Sequence, residues 1–126
     1  MRKPSRKTLK TKCDRLWSEI IRSKGKCEVC GIERVQSHHI IGRRNLTLRY
    51  ELRNGVALCP LHHTLGIESA HQDPLWFQDW MMKNRRDDLN YLYLKRMELS
   101  TQTDYEEILK ALLFAKLFNA QIKESH

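Results

Sequence analysis

The stretch from Cys27 to His71 constrains the fold of this chain more than any other feature. It holds three of the four cysteines and five of the six histidines. Most of them come in close pairs, namely Cys27 with Cys30, His38 with His39, Cys59 with His62, and His62 with His63. Because such clustering is typical of metal ligands, we expect one structural metal that holds the stretch together and one reactive site that the stretch frames.

The length of 126 residues is sufficient for one domain with a real core. A motif of roughly 45 residues cannot bury enough apolar surface to be stable alone, which favours a metal as a staple. The sequence has no apolar run of 18 residues, and its basic start is not followed by an apolar segment. We therefore expect no membrane span and a cytoplasmic location, where paired cysteines are more often metal ligands than disulfides.

The cysteine spacing predicts a zinc site. Cys27 and Cys30 lie three residues apart, and Gly31 permits the tight turn that lets two thiolates hold one ion. Cys59 and His62 repeat this spacing and would complete a tetrahedral set of four ligands. The alternative is a group of ordinary buried cysteines.

Positive charge is concentrated in two segments. Residues 1–26 hold ten Lys or Arg against two acidic residues, and residues 34–67 hold five Arg against Glu51 alone. A basic face on these segments, but not on the slightly acidic remainder, indicates a polyanionic partner that is met from one side. The alternative is a basic chain whose charge serves solubility only.

Periodicity and turn residues predict an α+β fold. An apolar stripe predicts a helix over 5–24, in which Cys13 is a buried core thiol. Strands are expected over 35–41 and 56–58. A loop at 42–45, an irregular or shortly extended stretch at 46–53 and a tight turn at Asn54-Gly55 separate them, and a helix that begins at Pro60 follows. Further helices are expected after suitable N-cap residues, which are Asp73, Asp87 or Asp88, and Thr103.

The joint spacing of these residues resembles a known nuclease motif. His38-His39-Ile40, then Asn54 fifteen residues after His39, then His63 nine residues later, is similar to the HNH (ββα-metal) endonuclease motif. The Cys27/Cys30 and Cys59/His62 pairs resemble the zinc frame of many members, with His62 where a fourth cysteine is commoner. The resemblance covers roughly residues 27–71, and the segment after it is similar to small phage-type members.

The resemblance implies a fold and an activity. It implies a ββα-metal core over 27–72, preceded by a basic helix over 1–26 and followed by helices over 73–126 that pack on the core within one structural domain. It implies a DNA endonuclease that hydrolyses phosphodiester bonds with one metal and a histidine general base, and a bacterial host cell if a phage encodes the chain.

The resemblance also implies residue roles. His39 would be the general base, while His38 and His63 would hold a catalytic divalent cation such as Mn²⁺, Mg²⁺, Ni²⁺ or Co²⁺. Asn54 would fix the loop that carries the base, or contact the metal as it does in some members; we favour the first. His71 and Glu68 compete to be the third metal ligand, and we favour His71.

The expected partner is double-stranded DNA bound with low sequence specificity, because no element resembles a base-reading helix. Six basic residues are candidates for phosphate contacts, namely Arg43, Arg44, Arg49, Arg53, Lys7 and Lys10. Two other classes of function remain open: a non-catalytic zinc module that binds nucleic acid, and an accessory subunit that docks on a phage packaging or recombination protein. A binding module needs neither the His38-His39 pair nor His63.

Overall fold

The computed structural model describes residues 2–98 and 103–125, with side chains as far as residue 119. The elements in chain order are α1 (Arg6–Arg22), β1 (Gln36–His39), β2 (Gly55–Leu58), α2 (Pro74–Asn84), α3 (Arg86–Lys95) and α4 (Tyr105–Ser125). A 3₁₀ turn (Leu52–Asn54) precedes β2, and a π-helical turn (Leu61–Leu65) follows it. The predicted α+β class is confirmed. Among the described helices, none combines the length and the apolar character needed to cross a bilayer.

The two strands form an antiparallel sheet that lies between helices. Gln36 pairs with Leu58 and His39 pairs with Gly55. All four residues of β2 are buried, and alternate side chains of a strand point to opposite faces. Val56 and Leu58 therefore enter the core on one face, while Gly55 and Ala57 face α1.

Helix α1 covers the Gly55 and Ala57 face of the sheet. The Ser5 side chain caps its start by accepting a hydrogen bond from the Thr8 backbone N–H, and Gly25, with φ of 80°, lies just beyond its end. The predicted helix over 5–24 is confirmed to within two residues at each end. Cys13 is fully buried, and its thiol donates to the Tyr105 carbonyl, which confirms the predicted core thiol.

Helix α2 covers the opposite face. Phe77 and Met81 are buried in the same core cluster as Val56 and Leu58. The helix begins as predicted, because Asp73 accepts a hydrogen bond from the Trp76 backbone N–H at 3.1 Å and proline occupies the first turn.

The start of α3 differs from the prediction. It begins at Arg86, with only Arg85 between it and the end of α2, and no side chain caps its first turn. Asp88 instead accepts hydrogen bonds from Arg53 at 2.8 Å and Arg85 at 2.9 Å. Its carboxylate is therefore used in ion pairs with side chains rather than in a cap, which overturns the prediction that Asp87 or Asp88 is an N-cap.

The start and the packing of α4 are also different. Asp104, rather than Thr103, accepts the capping hydrogen bond, from the Glu107 backbone N–H at 3.2 Å. The N-cap is thus displaced by one residue from the predicted Thr103, and the Glu107 side chain pairs with Lys110 instead of completing a capping box. Helix α4 packs along α1, with Tyr105 and Leu112 in the core cluster of α1. Helix α2 therefore lies beside the sheet and α3 beside the 3₁₀ turn, whereas α4 lies against α1.

The close approach of α1 to Gly55 predicts that a larger residue at this position lowers the stability of the fold. A Cβ atom at Gly55 would overlap the Ile21 side chain and lie 2.9 Å from the Trp17 ring. We expect Gly55→Ala to destabilise the fold by about 1–3 kcal/mol, the usual cost of overpacking a core. The matched control is Gly42→Ala, because a Cβ atom there meets nothing within 4 Å. Urea unfolding followed by circular dichroism measures both, and equal midpoints for the two variants would contradict the prediction.

Candidate metal centres and histidine cleft

Four predicted ligands converge beside the sheet, and we call them the four-ligand cluster. Its members are Cys27, Cys30, Cys59 and His62, whose ligand atoms all lie within 4.8 Å of one another. Cys59 Sγ lies 3.3 Å from His62 Nδ1, and Cys30 Sγ lies 3.7 Å from Cys59 Sγ. Cys27 Sγ lies 4.0 Å from His62 Nδ1.

These separations fit a metal such as zinc. Tetrahedral zinc with bonds of ~2.3 Å to sulfur and ~2.0 Å to nitrogen places its ligand atoms about 3.5–3.8 Å apart. Burial opposes ionisation of Cys27, but hydrogen bonds from the backbone N–H groups of Cys59, Cys30 and Val29 outweigh it and lower the pKa of this thiol. The donor set and its spacing therefore suit a thiolate-binding cation.

The segment between Cys27 and Cys30 also protects the outer edge of β2. The Cys27 carbonyl accepts from the Gly31 N–H at 2.8 Å, and Gly31 has φ of 79°, which is the tight turn expected from the sequence. Glu28 then pairs with Ala57 twice: its backbone N–H donates to the Ala57 carbonyl, and its side chain accepts from the Ala57 N–H at 2.7 Å. The cluster is thereby joined directly to the sheet.

Three further histidines form a second group, which we call the three-histidine cluster. His38, His63 and His71 bring their nearest ring nitrogens within 4.8 Å of one another. The ring centroids lie 5.0 Å (His38–His63), 5.1 Å (His38–His71) and 4.9 Å (His63–His71) apart. Burial, with smaller effects of His63, His71 and His39, lowers the pKa of His38 to about 3, and burial with His71 lowers the pKa of His63. Neutral imidazoles offer the lone pairs that a cation needs.

Local backbone hydrogen bonds divide the adjacent His62 and His63 between the two clusters. After the π-helical turn the chain doubles back, so that the Ala70 N–H donates to the His62 carbonyl and the His71 N–H donates to the His63 carbonyl. This return places the His71 ring beside His63. Glu68, the competing third ligand, is exposed and belongs to neither cluster of the described residues.

Gln36 orients His63. Its side-chain oxygen lies 2.7 Å from His63 Nδ1, so this nitrogen donates a proton and Nε2 is left with the lone pair. Gln36 was not among the predicted site residues. Its position two residues before His38 places it on the same face of β1, and this periodicity is the signal that could have identified it.

His39 lies on the opposite face of β1 and is held from two sides. Its ring stacks on Trp17 of α1 with centroids 3.8 Å apart and planes 9° apart. Its Nε2 lies 2.9 Å from the Arg49 carbonyl oxygen, and a carbonyl can only accept, so Nε2 carries the proton and Nδ1 is a free acceptor. Burial, with the positive charges of Arg43 and Arg49, outweighs this hydrogen bond and lowers the pKa of His39.

Asn54 fixes the loop that supplies this carbonyl. Its side chain is fully buried; the amide nitrogen donates to the carbonyls of Ile41 and Leu48 at 3.0 Å, and the amide oxygen accepts from the Ile41 N–H at 2.7 Å. All hydrogen-bonding groups of this amide are used within the loop, which agrees with a loop-fixing role rather than metal contact.

His38 and His39, which are adjacent in sequence, border the same cleft of about 430 Å³. Its lining includes the three-histidine cluster, His39, Arg43, and Asp14, Trp17 and Ser18 of α1. A strand directs His38 and His39 to opposite faces, but β1 ends at His39 and the cleft extends around that end. His38 and His39 can therefore point to opposite faces of the strand and still line the same cleft.

The arginines of the loop differ in their availability. Arg49 is only 7% exposed and forms a two-point ion pair with Asp14, with both contacts at 2.9 Å. Arg53 binds Asp88 at 2.8 Å and stacks over Tyr91. Arg43 and Arg44 are exposed, although Arg43 also lies 3.6 Å from Asp14. Arg49 is therefore turned inward, which leaves Arg43 and Arg44 as the loop arginines that face solvent.

No protein-family model, curated protein or solved structure matches the chain. Function is therefore inferred from the geometry and chemistry of the site.

The four-ligand cluster makes a prediction about metal content. We expect Cys30→Ser to lose about one equivalent of zinc and to unfold the segment 27–63, because zinc binding in small domains is largely folding free energy. Elemental analysis and circular dichroism measure the two effects. The matched control is Cys13→Ala, whose thiol lies in the core away from the cluster and whose loss should leave the zinc content unchanged. A wild-type protein that folds cooperatively without zinc would contradict the prediction.

Proposed function

We propose that the chain is a metal-dependent DNA endonuclease of the HNH type, with the ββα-metal core formed by β1, β2 and the turn at 61–65. The observation that carries this proposal is the shared cleft, in which a three-histidine cluster and a separate histidine with a free acceptor nitrogen face the same space. A structural or purely binding module has no need of this combination.

His39 is the proposed general base. Nδ1 accepts a proton from the attacking water as the water oxygen bonds to phosphorus, and the bond from phosphorus to the leaving oxygen breaks. The lowered pKa supports this role, because the ring is then neutral and able to accept at neutral pH. The Trp17 stack and the Arg49 carbonyl fix the ring plane, so little orientation has to be gained during the reaction.

His38, His63 and His71 are the proposed ligands of the catalytic cation. A divalent cation there would neutralise charge on a phosphate oxygen and on the leaving oxygen. Three neutral imidazoles favour Mn²⁺, Ni²⁺ or Co²⁺ over Mg²⁺, which prefers oxygen ligands.

A path for the DNA backbone runs along α1. Lys7 and Lys10 lie seven and four residues before Asp14, so helical spacing places them near the face of α1 that borders the cleft. Neither lysine forms an ion pair with the described residues. Arg43, which lines the cleft, and the exposed Arg44 beside it in sequence add to this positive charge.

Cleavage of supercoiled plasmid with Mn²⁺ tests the proposed base. His39→Ala should reduce the rate by roughly 10²–10⁴-fold, the usual contribution of general-base catalysis, while zinc content and DNA affinity stay at wild-type values. His39→Gln, which retains a hydrogen-bond donor, serves as a second variant that disturbs the Trp17 contact less. Cleavage by His39→Ala at the wild-type rate would refute this assignment.

His63→Ala should behave differently, because His63 is a proposed ligand. We expect weaker affinity for the catalytic cation, so that raising Mn²⁺ partly restores cutting, whereas excess Mn²⁺ does not restore His39→Ala. Titration of the rate against Mn²⁺ for both variants measures this. If wild-type protein binds DNA but cuts none with any of the four cations, the zinc-containing binding module becomes the better description.

The salt dependence of DNA affinity tests the proposed path. The double variant Lys7→Gln/Lys10→Gln should bind more weakly and lower the slope of log affinity against log salt by up to about 1.8, or about 0.9 per lost phosphate contact. Lys110→Gln on α4 is the matched control, since Lys110 is exposed and paired with Glu107. A slope that the double variant leaves unchanged would place the phosphate contacts elsewhere.

A further inference from the structure

A second cavity, of about 460 Å³, adjoins the histidine cleft. It borders His38, His39, Gly42 and His71, which also line the cleft. Beyond these four residues its walls are mainly apolar. Phe77 forms one wall and packs edge-on against His38, with ring centroids 5.3 Å apart. A ligand in this apolar cavity would therefore lie directly beside a group held at the histidines.

The lining of the cavity also includes an exposed aromatic ring and polar groups. The Arg96 guanidinium lies over the Tyr93 ring, 3.9 Å from its centroid, and is held there by a hydrogen bond from Arg96 Nη1 to the Tyr93 carbonyl at 2.9 Å. The Tyr93 residue is nevertheless 62% exposed. A ring with a cation on one face retains its other face for stacking, and Gln78 lines the same cavity.

We propose that this cavity binds an unpaired nucleobase next to the phosphate that the histidines contact; the proposal rests on the nuclease function above and specifies its substrate. Apolar walls and the exposed Tyr93 ring suit the faces of a base, while Gln78 and Arg96 can hydrogen-bond its edge. The net charge of +8 favours a ligand that is attached to phosphates over a neutral apolar one.

The proposal has a consequence for the form of the DNA. A base within a duplex is stacked and paired, so it reaches a lateral cavity only after it has left the stack. The chain should therefore prefer a single strand, a mismatch or an extruded base over fully paired DNA. This preference refines the expectation of double-stranded DNA bound with low specificity.

Binding without hydrolysis tests the cavity separately from the activity. Zinc-loaded protein, with no other divalent cation added, is titrated into two end-labelled duplexes that differ only in one unpaired, extruded thymine. Fluorescence anisotropy gives the two affinities, and a denaturing gel confirms that the DNA stays intact. We expect the duplex with the unpaired base to bind roughly tenfold or more tightly, the usual effect of one base–aromatic stack.

Variants of α3 assign the preference to the cavity. Tyr93→Ala should abolish the difference between the two duplexes, whereas Tyr93→Phe, which keeps the ring, should retain it. Leu94→Ala is the matched control, because Leu94 is the next residue, is 73% exposed and does not line the cavity. Placing 5-iodouracil at the extruded position should give a photocrosslink to the peptide that contains Tyr93.

Three results would overturn the proposal. They are equal affinity of the wild-type protein for both duplexes, an undiminished preference in Tyr93→Ala, and a neutral apolar dye that fills the cavity and is not displaced by the unpaired-base duplex. A protein that cuts plasmid but shows no preference loses only this inference. A protein that shows the preference but cuts no DNA loses only the nuclease function.

Discussion

The candidate site is built on an antiparallel ladder of only four residues per strand, and so small a ladder is not stable in water by itself. It is covered by α1 on one face and by α2 on the other, and the four-ligand cluster lies at its end. The cluster joins the chain before β1 to the chain after β2. Since His63 follows directly after a cluster residue, a metal bound by the four-ligand cluster would also fix the position of the three-histidine cluster.

Local sequence signals predicted the parts of the site that depend on local geometry. The spacing of the cysteine and histidine pairs, the strand at 56–58 and the Asp73 cap are all defined within a few residues. Local signals could not predict that Trp17 contacts His39 or that Gln36 contacts His63, because the packing of distant segments brings these residues together. The cap of α3 was misplaced for a related reason: Asp88 is close enough to two arginines for ion pairs to replace a cap.

The ion pair of Arg49 could not be predicted from local sequence either, because its partner is distant in the chain. Loop arginines near a reactive site suggest phosphate contacts, yet a guanidinium that packs inward needs a carboxylate, and Asp14 supplies it from 35 residues earlier in the chain. Burial opposes ionisation of Asp14, but the hydrogen bonds and charge of Arg49, with the charge of Arg43, outweigh it and lower the pKa of Asp14. The single acidic group in the lining of the cleft is thereby neutralised by two arginines, so it repels an approaching phosphate little.

Helix α1 consequently contributes more than positive charge. Trp17 is almost fully buried, donates its indole N–H to the Glu51 carbonyl at 3.0 Å, and offers its ring face to His39. Asn54 fixes the neighbouring loop, whose Arg49 carbonyl sets the tautomer of the same imidazole. The proposed base is thus oriented by a helix on one side and a loop on the other, and the side chains that fix these two supports, Trp17 and Asn54, are buried and hydrogen-bonded. If the proposed activity holds, small changes in α1 would alter the rate without altering cation binding, because His38 points to the opposite face of the strand from His39, and His63 and His71 lie beside His38.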